Sequence, residues 1–458
     1  MNGERLEQVE NIEYLGITID TRFTFNDHIN KVSDKCIKLI NALSKSARIG
    51  WGLKHQALEI IYKGAILPTL MYAAPVWIQS LEKKCNRDKY VRVQRLILTR
   101  IAKAYRTISH EALCIITGIT PIDIKAREVV ALYNIKTGKR TTDRQIDLPE
   151  KPMNWLHPAE SLGTGDSNEN ALWQIYTDGS KSTDGVGAGI AIYRGNQLIN
   201  QLKFKLHDEC SNNQAEQLAI TKALEFLETK ETDNTEHNNV TLHTDSRITI
   251  DSIADSNNHN QLIERIRRKT AILNTKNWKI QFKWVKAHVG IQGNELADKL
   301  AKEGAKTSQI CYDRPPITTI KYQLRRETEN EWQQRWEDTS KGTITKEFFP
   351  TVGSRLAIRI NLTPNLTTIV TGHGNINSYL HRLKIASSPE CSCGRGPQTV
   401  EHIIFECSEV KSEGESLNSV QKIESWPVHK SALTKKFLKP FSKFVNSIDF
   451  EQLKKINN

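Results

Sequence analysis

The most informative stretch of this 458-residue sequence reads His288-Val289-Gly290-Ile291-Gln292-Gly293-Asn294-Glu295-Leu296-Ala297-Asp298. Three shorter stretches precede it, and they read Tyr176-Thr177-Asp178-Gly179-Ser180, Asn213-Gln214-Ala215-Glu216 and His243-Thr244-Asp245-Ser246. Each stretch places an acidic residue in a distinctive context, and these residues are Asp178, Glu216, Asp245 and Asp298. Clustered carboxylates repel one another unless cations neutralise them, and hard oxygen ligands favour Mg²⁺ or Mn²⁺ over zinc. The pattern therefore predicts a shared metal site, and the alternative is four solvated surface acids.

The residues around these acids predict an α/β domain with a mixed sheet. Hydrophobic patterning gives the order strand, strand, strand, helix, strand, helices, strand, helix. Gly185, Gly187 and Gly189 lead into the apolar stretch Ile190-Ala191-Ile192-Tyr193. Because these glycines do not open a helix, they do not indicate a dinucleotide-binding loop.

In the four acidic stretches the sequence resembles type 1 ribonuclease H, whose HxGxxGNExAD motif is complete here. The resemblance covers about residues 171 to 307. It implies a ribonuclease H-like mixed sheet flanked by helices, in which Asp178, Glu216, Asp245 and Asp298 hold two Mg²⁺ or Mn²⁺ ions. His288 would then assist proton transfer or product release. The implied activity is cleavage of the RNA strand of an RNA–DNA hybrid, and a decayed but folded copy is the alternative.

Residues beside the acids are candidates for substrate contact, and they are Gly179, Ser180, Asn213, Gln214 and Ser246. The family uses amides near its helical glutamate in the minor groove of the hybrid. An amide can hydrogen-bond a 2′-OH, which distinguishes RNA from DNA. We expect the first two residues to let a phosphate or sugar approach closely. Helix capping by Asn212, Asn213 or Ser246 is the alternative.

The length and charge of the chain limit its class. A chain of 458 residues predicts about three domains. A net charge of +12 suits a polyanionic partner such as RNA, DNA or their hybrid. Between residues 81 and 106 only Glu82 and Asp88 oppose a run of basic residues, which are Lys83, Lys84, Arg87, Lys89, Arg92, Arg95, Arg100, Lys103 and Arg106. This run is a candidate phosphate-binding surface, and a solvated helix face is the alternative.

Compartment signals favour a cytoplasmic or nuclear setting without a membrane. Charged residues throughout the first 30 positions exclude a signal peptide, and the apolar stretch from 65 to 78 is too short to span a bilayer. The eight cysteines do not resemble a secreted disulfide framework.

Residues 1 to 135 predict a strand, Tyr14 to Asp20, followed by helices over 26–48, 57–77 and 90–104. Tyr14-Leu15-Gly16 and Tyr72-Ala73-Ala74-Pro75-Val76-Trp77 resemble the region after the palm of reverse transcriptases from Jockey- and I-type non-LTR retrotransposons. The resemblance implies a helical, thumb-like remnant in the C-terminal part of a Pol polyprotein, next to an upstream polymerase in an intact element. No Asp-Asp dipeptide occurs in the sequence, so we expect no polymerase activity.

Two segments, 136 to 170 and 305 to 318, are rich in turn-forming residues and are predicted to be linkers.

The C-terminal region, 319 to 458, contains Cys391-Ser392-Cys393-Gly394, followed by His402 and Cys407. This spacing fits a tetrahedral Zn²⁺ site. It also resembles the zinc-knuckle-like tail that follows ribonuclease H in these retrotransposons. A buried cluster of reduced cysteines is the alternative.

Three functions are compatible with these features. The first is an endoribonuclease that removes RNA from hybrids during retrotransposon copying. The second is a catalytically silent nucleic-acid-binding remnant. The third is a transposase-type nuclease, against which the GNExAD motif and the short gaps between the acids argue.

Overall fold

The structure, a computed structural model, describes residues 9–44, 53–139, 145–150, 171–230, 238–410 and 427–453. The chain forms two compact units. The first unit joins Met1–Asn134 with Leu324–Asn458, and the second unit is Ile135–Gln323. Each unit has its own hydrophobic core. No helix in the described part of the chain is both long and apolar enough to cross a membrane.

The first unit begins with a β-hairpin, in which β1 (Asn11–Tyr14) and β2 (Ile17–Asp20) pair antiparallel. Leu15 and Gly16 form its turn with φ angles of 48° and 76°, a conformation that suits two-residue hairpin turns. The prediction of a single strand from Tyr14 to Asp20 was wrong because this turn divides the stretch.

Helices follow the hairpin, with one predicted helix broken into several pieces. Pro68 and Pro75 each stand in the first turn of a new helix, and Ala73 has a φ of 52°. The backbone stays helical from His55 to Met71 through a π-helical turn, and the predicted helix over 57–77 is interrupted at Ala73, ahead of Pro75. The segments are α1 (Asn26–Ser44), α2 (His55–Ile61), a π-helical turn (Tyr62–Ile66), α3 (Leu67–Met71), α4 (Ala74–Trp77), a 3₁₀ turn (Ile78–Glu82), α5 (Lys84–Ile101), α6 (His110–Thr117) and α7 (Ile122–Lys136).

The second unit is built on a mixed six-stranded sheet with the order β7-β6-β3-β4-β5-β8. Its first three strands form an antiparallel meander, and β6, β7 and β8 add in parallel to β3, β6 and β5. The predicted α/β architecture is confirmed. The elements are β3 (Trp173–Ser182), β4 (Gly185–Arg194), β5 (Gln197–Leu206), α8 (Asn212–Glu228), β6 (Asn239–Thr244), α9 (Arg247–Ala254), α10 (Gln261–Thr275), β7 (Lys279–Trp284), α11 (Gln292–Ala305) and β8 (Ile310–Tyr312).

Glycines on β4 bring helix α11 unusually close to the sheet. A Cβ atom at Gly187 would lie 2.2 Å from the carbonyl oxygen of Ala301, and one at Gly189 would lie 2.2 Å from that of Ala297. These distances are far below van der Waals contact, so only glycine fits. The glycine run therefore serves helix–sheet packing, in agreement with the rejection of a dinucleotide loop.

The structure places ordered contacts in both predicted linkers. β8 lies inside the predicted linker 305–318 and extends the sheet beyond residue 307. In the first linker, Asp147 forms a β-bridge with Pro316, and the Glu150 N–H donates to the His259 carbonyl. Residues 140–144 and 151–170 of that predicted linker lie outside the described residues.

The C-terminal helices share the core of the first unit with the N-terminal helices. The Arg355 guanidinium donates to the Ile116 carbonyl at 2.6 Å, and Arg335 forms an ion pair with the buried Asp123 at 2.6 Å. The N-terminal and C-terminal regions, which were predicted to be separate domains, therefore belong to one unit. Its remaining segments are α12 (Ile317–Asp338), α13 (Thr343–Phe348), α14 (Val352–Leu356), α15 (Pro364–Thr371), α16 (Asn377–Arg382), α17 (Val400–Phe405), a 3₁₀ turn (Ser408–Val410), α18 (Lys430–Lys435) and α19 (Leu438–Ser447).

Candidate functional site

Strand register brings Asp178 and Asp245 together. In the parallel pairing of β3 with β6, Thr177 lies opposite Thr244. Asp178 follows Thr177 and Asp245 follows Thr244, so both carboxylates emerge at the same edge of neighbouring strands. Asp178 pairs with Gly189 of β4 and directly follows the last β3 residue that pairs with β6, so a central strand fixes its position.

Glu216 lies near the start of helix α8. Ser211 caps this helix in a capping box with Gln214, which fixes the helix N-terminus beside the sheet. A Cβ atom at Gly179 would lie 2.5 Å from the Glu216 nitrogen. The absence of a side chain at Gly179 therefore allows the helix to place Glu216 against Asp178.

The carboxylates of Asp178, Glu216 and Asp245 each offer an oxygen to a group whose atoms lie within 4.8 Å of one another. Asp178 and Glu216 are almost fully buried, and Glu216 Oε2 has no hydrogen-bond partner. Burial, with repulsion from Asp245 and Asp298, raises the pKa of Asp178 to about 7. Burial and the charges of Asp178 and Asp245 raise the pKa of Glu216 well above its usual range. The three carboxyl groups thus lie so close together that ionisation of each is disfavoured by the others.

Asp298 lies on α11 beside the cluster but outside the tight group of three. Its carboxylate forms an ion pair with Lys302 at 2.7 Å, yet its charge still raises the pKa of Asp178, after burial and Asp245. His288 is exposed and has a φ of 54°. Burial raises the pKa of Asp245, while the nearby His288 opposes that rise. The structure therefore brings all five predicted acid and histidine residues to one edge of the sheet.

The structure changes the interpretation of Gln214 and Gly179. The Gln214 side chain is buried, and its amide nitrogen donates to Asp147 at 2.6 Å and to the Arg314 carbonyl at 3.0 Å. The prediction that it contacts substrate is corrected, because its amide is already occupied within the protein. Gly179 is explained by the approach of helix α8 described above, without any need for a ligand.

The remaining substrate candidates differ in how much of their polar surface is available. Asn213 is exposed, and Ser180 is half-buried. Because Ser211 is the cap of α8, the alternative that Asn212 or Asn213 caps this helix was wrong. Ser246 caps α9 by accepting a hydrogen bond from the Thr249 N–H at 3.3 Å, as the alternative interpretation of Ser246 predicted.

Asn294 and Trp284 were not predicted as site residues. The Asn294 side chain hydrogen-bonds to Asp245, and its Oδ1 is buried without a partner. The Trp284 indole nitrogen donates to the Asp245 carbonyl at 3.0 Å, although 46% of the residue is exposed. The position of Asn294 within the GNExAD motif was the available signal, whereas nothing in the sequence distinguished Trp284 from a core tryptophan.

A cysteine–histidine cluster lies in the core of the first unit. Cys391, Cys393, His402 and Cys407 offer ligand atoms within 4.8 Å of one another. The sulfurs of Cys391 and Cys407 are 3.6 Å apart, near the roughly 3.8 Å edge of a tetrahedron with Zn–S bonds of about 2.3 Å. Backbone and side-chain hydrogen bonds overcome the effect of burial and lower the pKa of Cys393 to about 7, which favours a metal-binding thiolate.

The basic run between 81 and 106 lies mainly on helix α5. Part of it lines a cavity of about 550 Å³, in which Asp88 is the only carboxylate among the described lining residues. Arg92, Arg100, Lys103 and Arg106 line this cavity. Arg95 also lines it, but its guanidinium donates to the Ile108 carbonyl at 3.0 Å. Arg100 likewise donates to a backbone carbonyl, that of Leu96 at 2.8 Å. Arg95 and Arg100 therefore hold the backbone, and Arg92, Lys103 and Arg106 are the candidates for phosphate contact.

Comparison with known proteins agrees with this geometry. The RNase H family profile matches residues 170–306. A Pol polyprotein from the type-1 retrotransposable element R1 4 of Nasonia vitripennis is 34% identical over 153 residues, which cover 33% of this chain and 38% of the relative. Human ribonuclease H1 is 34% identical, with 30% of this chain and 50% of the relative covered. Ribonuclease H of Nitrosospira multiformis is 33% identical, with 30% of this chain and 90% of the relative covered.

The fold and the clustered acids define the second unit as an α/β domain of the ribonuclease H class. This chain belongs to the ribonuclease H family through that domain. Its relatives over the same region include retrotransposon Pol polyproteins, and the chain spans less than two fifths of the length of the Nasonia relative.

Proposed function

We propose that this chain is an endoribonuclease that cleaves the RNA strand of RNA–DNA hybrids with two divalent metal ions. The observation that carries the proposal is the close group of three carboxylates, two buried and one half-buried, in which the buried Glu216 Oε2 has no partner. An all-oxygen donor set with excess negative charge fits Mg²⁺ or Mn²⁺. Asp178, Glu216, Asp245 and Asp298 would hold the ions, which when bound supply an activated water and stabilise the leaving oxygen.

The protein's own side chains account for the remaining requirements. His288 is exposed on a loop beside Asp245, where a neutral imidazole nitrogen can accept or deliver a proton. Asn213 presents an exposed amide one turn before Glu216, and such a group can hydrogen-bond the 2′-OH of RNA. Asn294 positions the Asp245 carboxylate. These roles assign RNA selectivity to helix α8 and proton transfer to the loop before α11.

Three further expectations belong to this proposal. The chain would act on nucleic acid as part of a retrotransposon, in the cytoplasm or nucleus. We expect no DNA synthesis, because the sequence lacks the paired-aspartate motif of a polymerase site. Cys391, Cys393, His402 and Cys407 would bind one Zn²⁺, with the Glu406 carboxylate 3.3 Å from His402 Nδ1 orienting the imidazole so that Nε2 faces the ion.

Cleavage of an end-labelled RNA–DNA hybrid, with Mg²⁺ or with chelator, tests the proposal. The wild-type protein should cut only the RNA strand and only with metal, and it should leave duplex DNA intact. Asp178→Asn should abolish cutting, while Asp251→Asn, an exposed change of equal charge on α9, should not. Binding of hybrid without any cutting by the wild-type protein would reject the proposal and identify the silent nucleic-acid-binding alternative. Primer extension by the purified protein would refute the expectation of no polymerase activity.

A further inference from the structure

A second cavity of the first unit has features of a ligand site. It encloses about 440 Å³ between the segment Thr107–Ala112 and the C-terminal helices α13, α15, α16 and α17. This volume is typical of small-molecule sites. Its described lining contains no carboxylate, and Lys341 and Arg382 supply positive charge. Neither cation has an acidic partner among the described residues, so the cavity is electrostatically suited to an anion.

Arg382 is oriented by an aromatic side chain. Its guanidinium lies 5.3 Å from the centre of the Tyr379 ring, a distance at which cation–π attraction operates. The His373 ring also contacts Tyr379, with a centroid separation of 4.6 Å. Arg382 is therefore held at the cavity by stacking, which leaves its N–H groups available for a ligand.

His373 presents a neutral imidazole to the same cavity. Burial and the charge of Arg382 lower the pKa of His373. The Tyr379 hydroxyl donates to Thr107 Oγ1 at 2.6 Å, and Thr107 Oγ1 lies 3.0 Å from His373 Nδ1. These contacts hold the imidazole at the wall of the cavity.

We infer that this cavity binds a nucleotide, either free or as the phosphorylated end of a nucleic-acid strand. Lys341 and Arg382 would contact the phosphate, because both are cations without acidic partners. The apolar walls at Ile344 and Val400 would contact the sugar and base. The site lies in the first unit and shares no residue with the acidic cluster, so it goes beyond the proposed ribonuclease.

Binding measurements on the full chain can test this site with three probes. They are a short single-stranded DNA with a 5′-phosphate, the same DNA with a 5′-hydroxyl, and a nucleoside monophosphate. The wild-type protein should prefer the phosphorylated strand by about tenfold or more, because each charge-assisted hydrogen bond contributes about that factor. Competition by the monophosphate would identify a free nucleotide as the ligand, whereas preference for the strand alone would identify a strand end.

Variants separate a ligand site from a structural contact. Arg382→Gln and Lys341→Gln should each reduce the preference for phosphate about tenfold, while Arg359→Gln, an exposed arginine outside the lining, should not. Hybrid cleavage should be unchanged in all of these variants. Equal affinity for phosphorylated and hydroxyl strands without monophosphate binding, or an equal loss in Arg359→Gln, would overturn the inference.

Discussion

Replacing Asp178 with asparagine should abolish cleavage and, in the absence of metal, make the domain more stable. The pKa of Asp178 rises from 3.8 to about 7 because the carboxyl is buried beside Asp245 and Asp298. A carboxyl whose pKa is raised by folding stabilises the protein below its unfolded pKa, and this contribution is lost as the pH rises through the folded pKa. The wild-type domain should therefore lose stability between about pH 4 and pH 7.

The shift corresponds to about 4 kcal/mol at high pH, an upper limit because protonation of a neighbouring carboxyl relieves the same repulsion. Asparagine preserves the oxygen that accepts the Gly179 N–H at 2.7 Å, and its amide N–H can donate to Glu216. The variant thus removes the charge while keeping the local geometry, so most of the loss above pH 7 should disappear.

Hydrogen exchange of the β3 and β6 amides in chelator, at pH 5 and at pH 8, measures the effect within the second unit. At pH 8 the variant should be more protected than the wild-type protein, and at pH 5 the difference should be smaller. Added Mg²⁺ should stabilise the wild-type protein strongly and the variant weakly, since ligand binding to the native state adds stability. Asp251→Asn serves as the control for a change of charge. Equal protection of wild type and Asp178→Asn at pH 8 would refute the reasoning.

Three other perturbations test separate parts of the molecule. His288→Ala should slow hybrid cleavage about 100-fold while leaving hybrid affinity nearly unchanged, because general acid–base groups act in the transition state; an equal loss of affinity would contradict this role. Reversal of Arg92 and Lys103 to Glu should weaken hybrid binding and reduce the slope of log affinity against log salt by roughly 2, and an unchanged slope would favour a solvated helix face. Cys407→Ser should abolish binding of one zinc per chain and destabilise the first unit, because bound metal contributes folding energy; metal analysis that finds no zinc in the wild-type protein would exclude the site.

Local patterns in the sequence predicted an α/β domain with a mixed sheet, and the resemblance of the four acidic motifs to ribonuclease H implied the particular fold and the acidic residues. Alternation and helical periodicity gave the order of elements, and the residues around each acid gave its place on a strand or helix. The parallel register that sets Thr177 opposite Thr244 could not be predicted from the sequence, because register depends on how two distant strands pair. The carboxylates could therefore be predicted from the sequence, whereas the distances between them required the structure.

Long-range contacts explain the predictions that were corrected. Gln214 looked like a substrate ligand, but Asp147 and Arg314 occupy its amide from 67 and 100 residues away. The sharing of one core by the N-terminal and C-terminal regions depends on contacts such as Arg355 with Ile116, which are 239 residues apart. No local pattern encodes such a partner, so composition shifts alone suggested separate domains.

The rigidity of the acidic site links its stability to its chemistry. Asp178 is fixed by a central strand, and Asp245 by the neighbouring register. Glu216 cannot retreat from Asp178 by sliding of α8 alone, because Ser211 caps that helix and Gly179 lies directly against its backbone. Repulsion among these carboxylates is therefore not readily relieved by movement, and it must be relieved by a proton or by a cation. For this reason the pH dependence of folding without metal and the affinity for Mg²⁺ should report the same electrostatic interaction. A variant that reduces the pH dependence of folding without metal should also reduce the affinity for Mg²⁺, whereas a flexible site would let these two quantities vary independently.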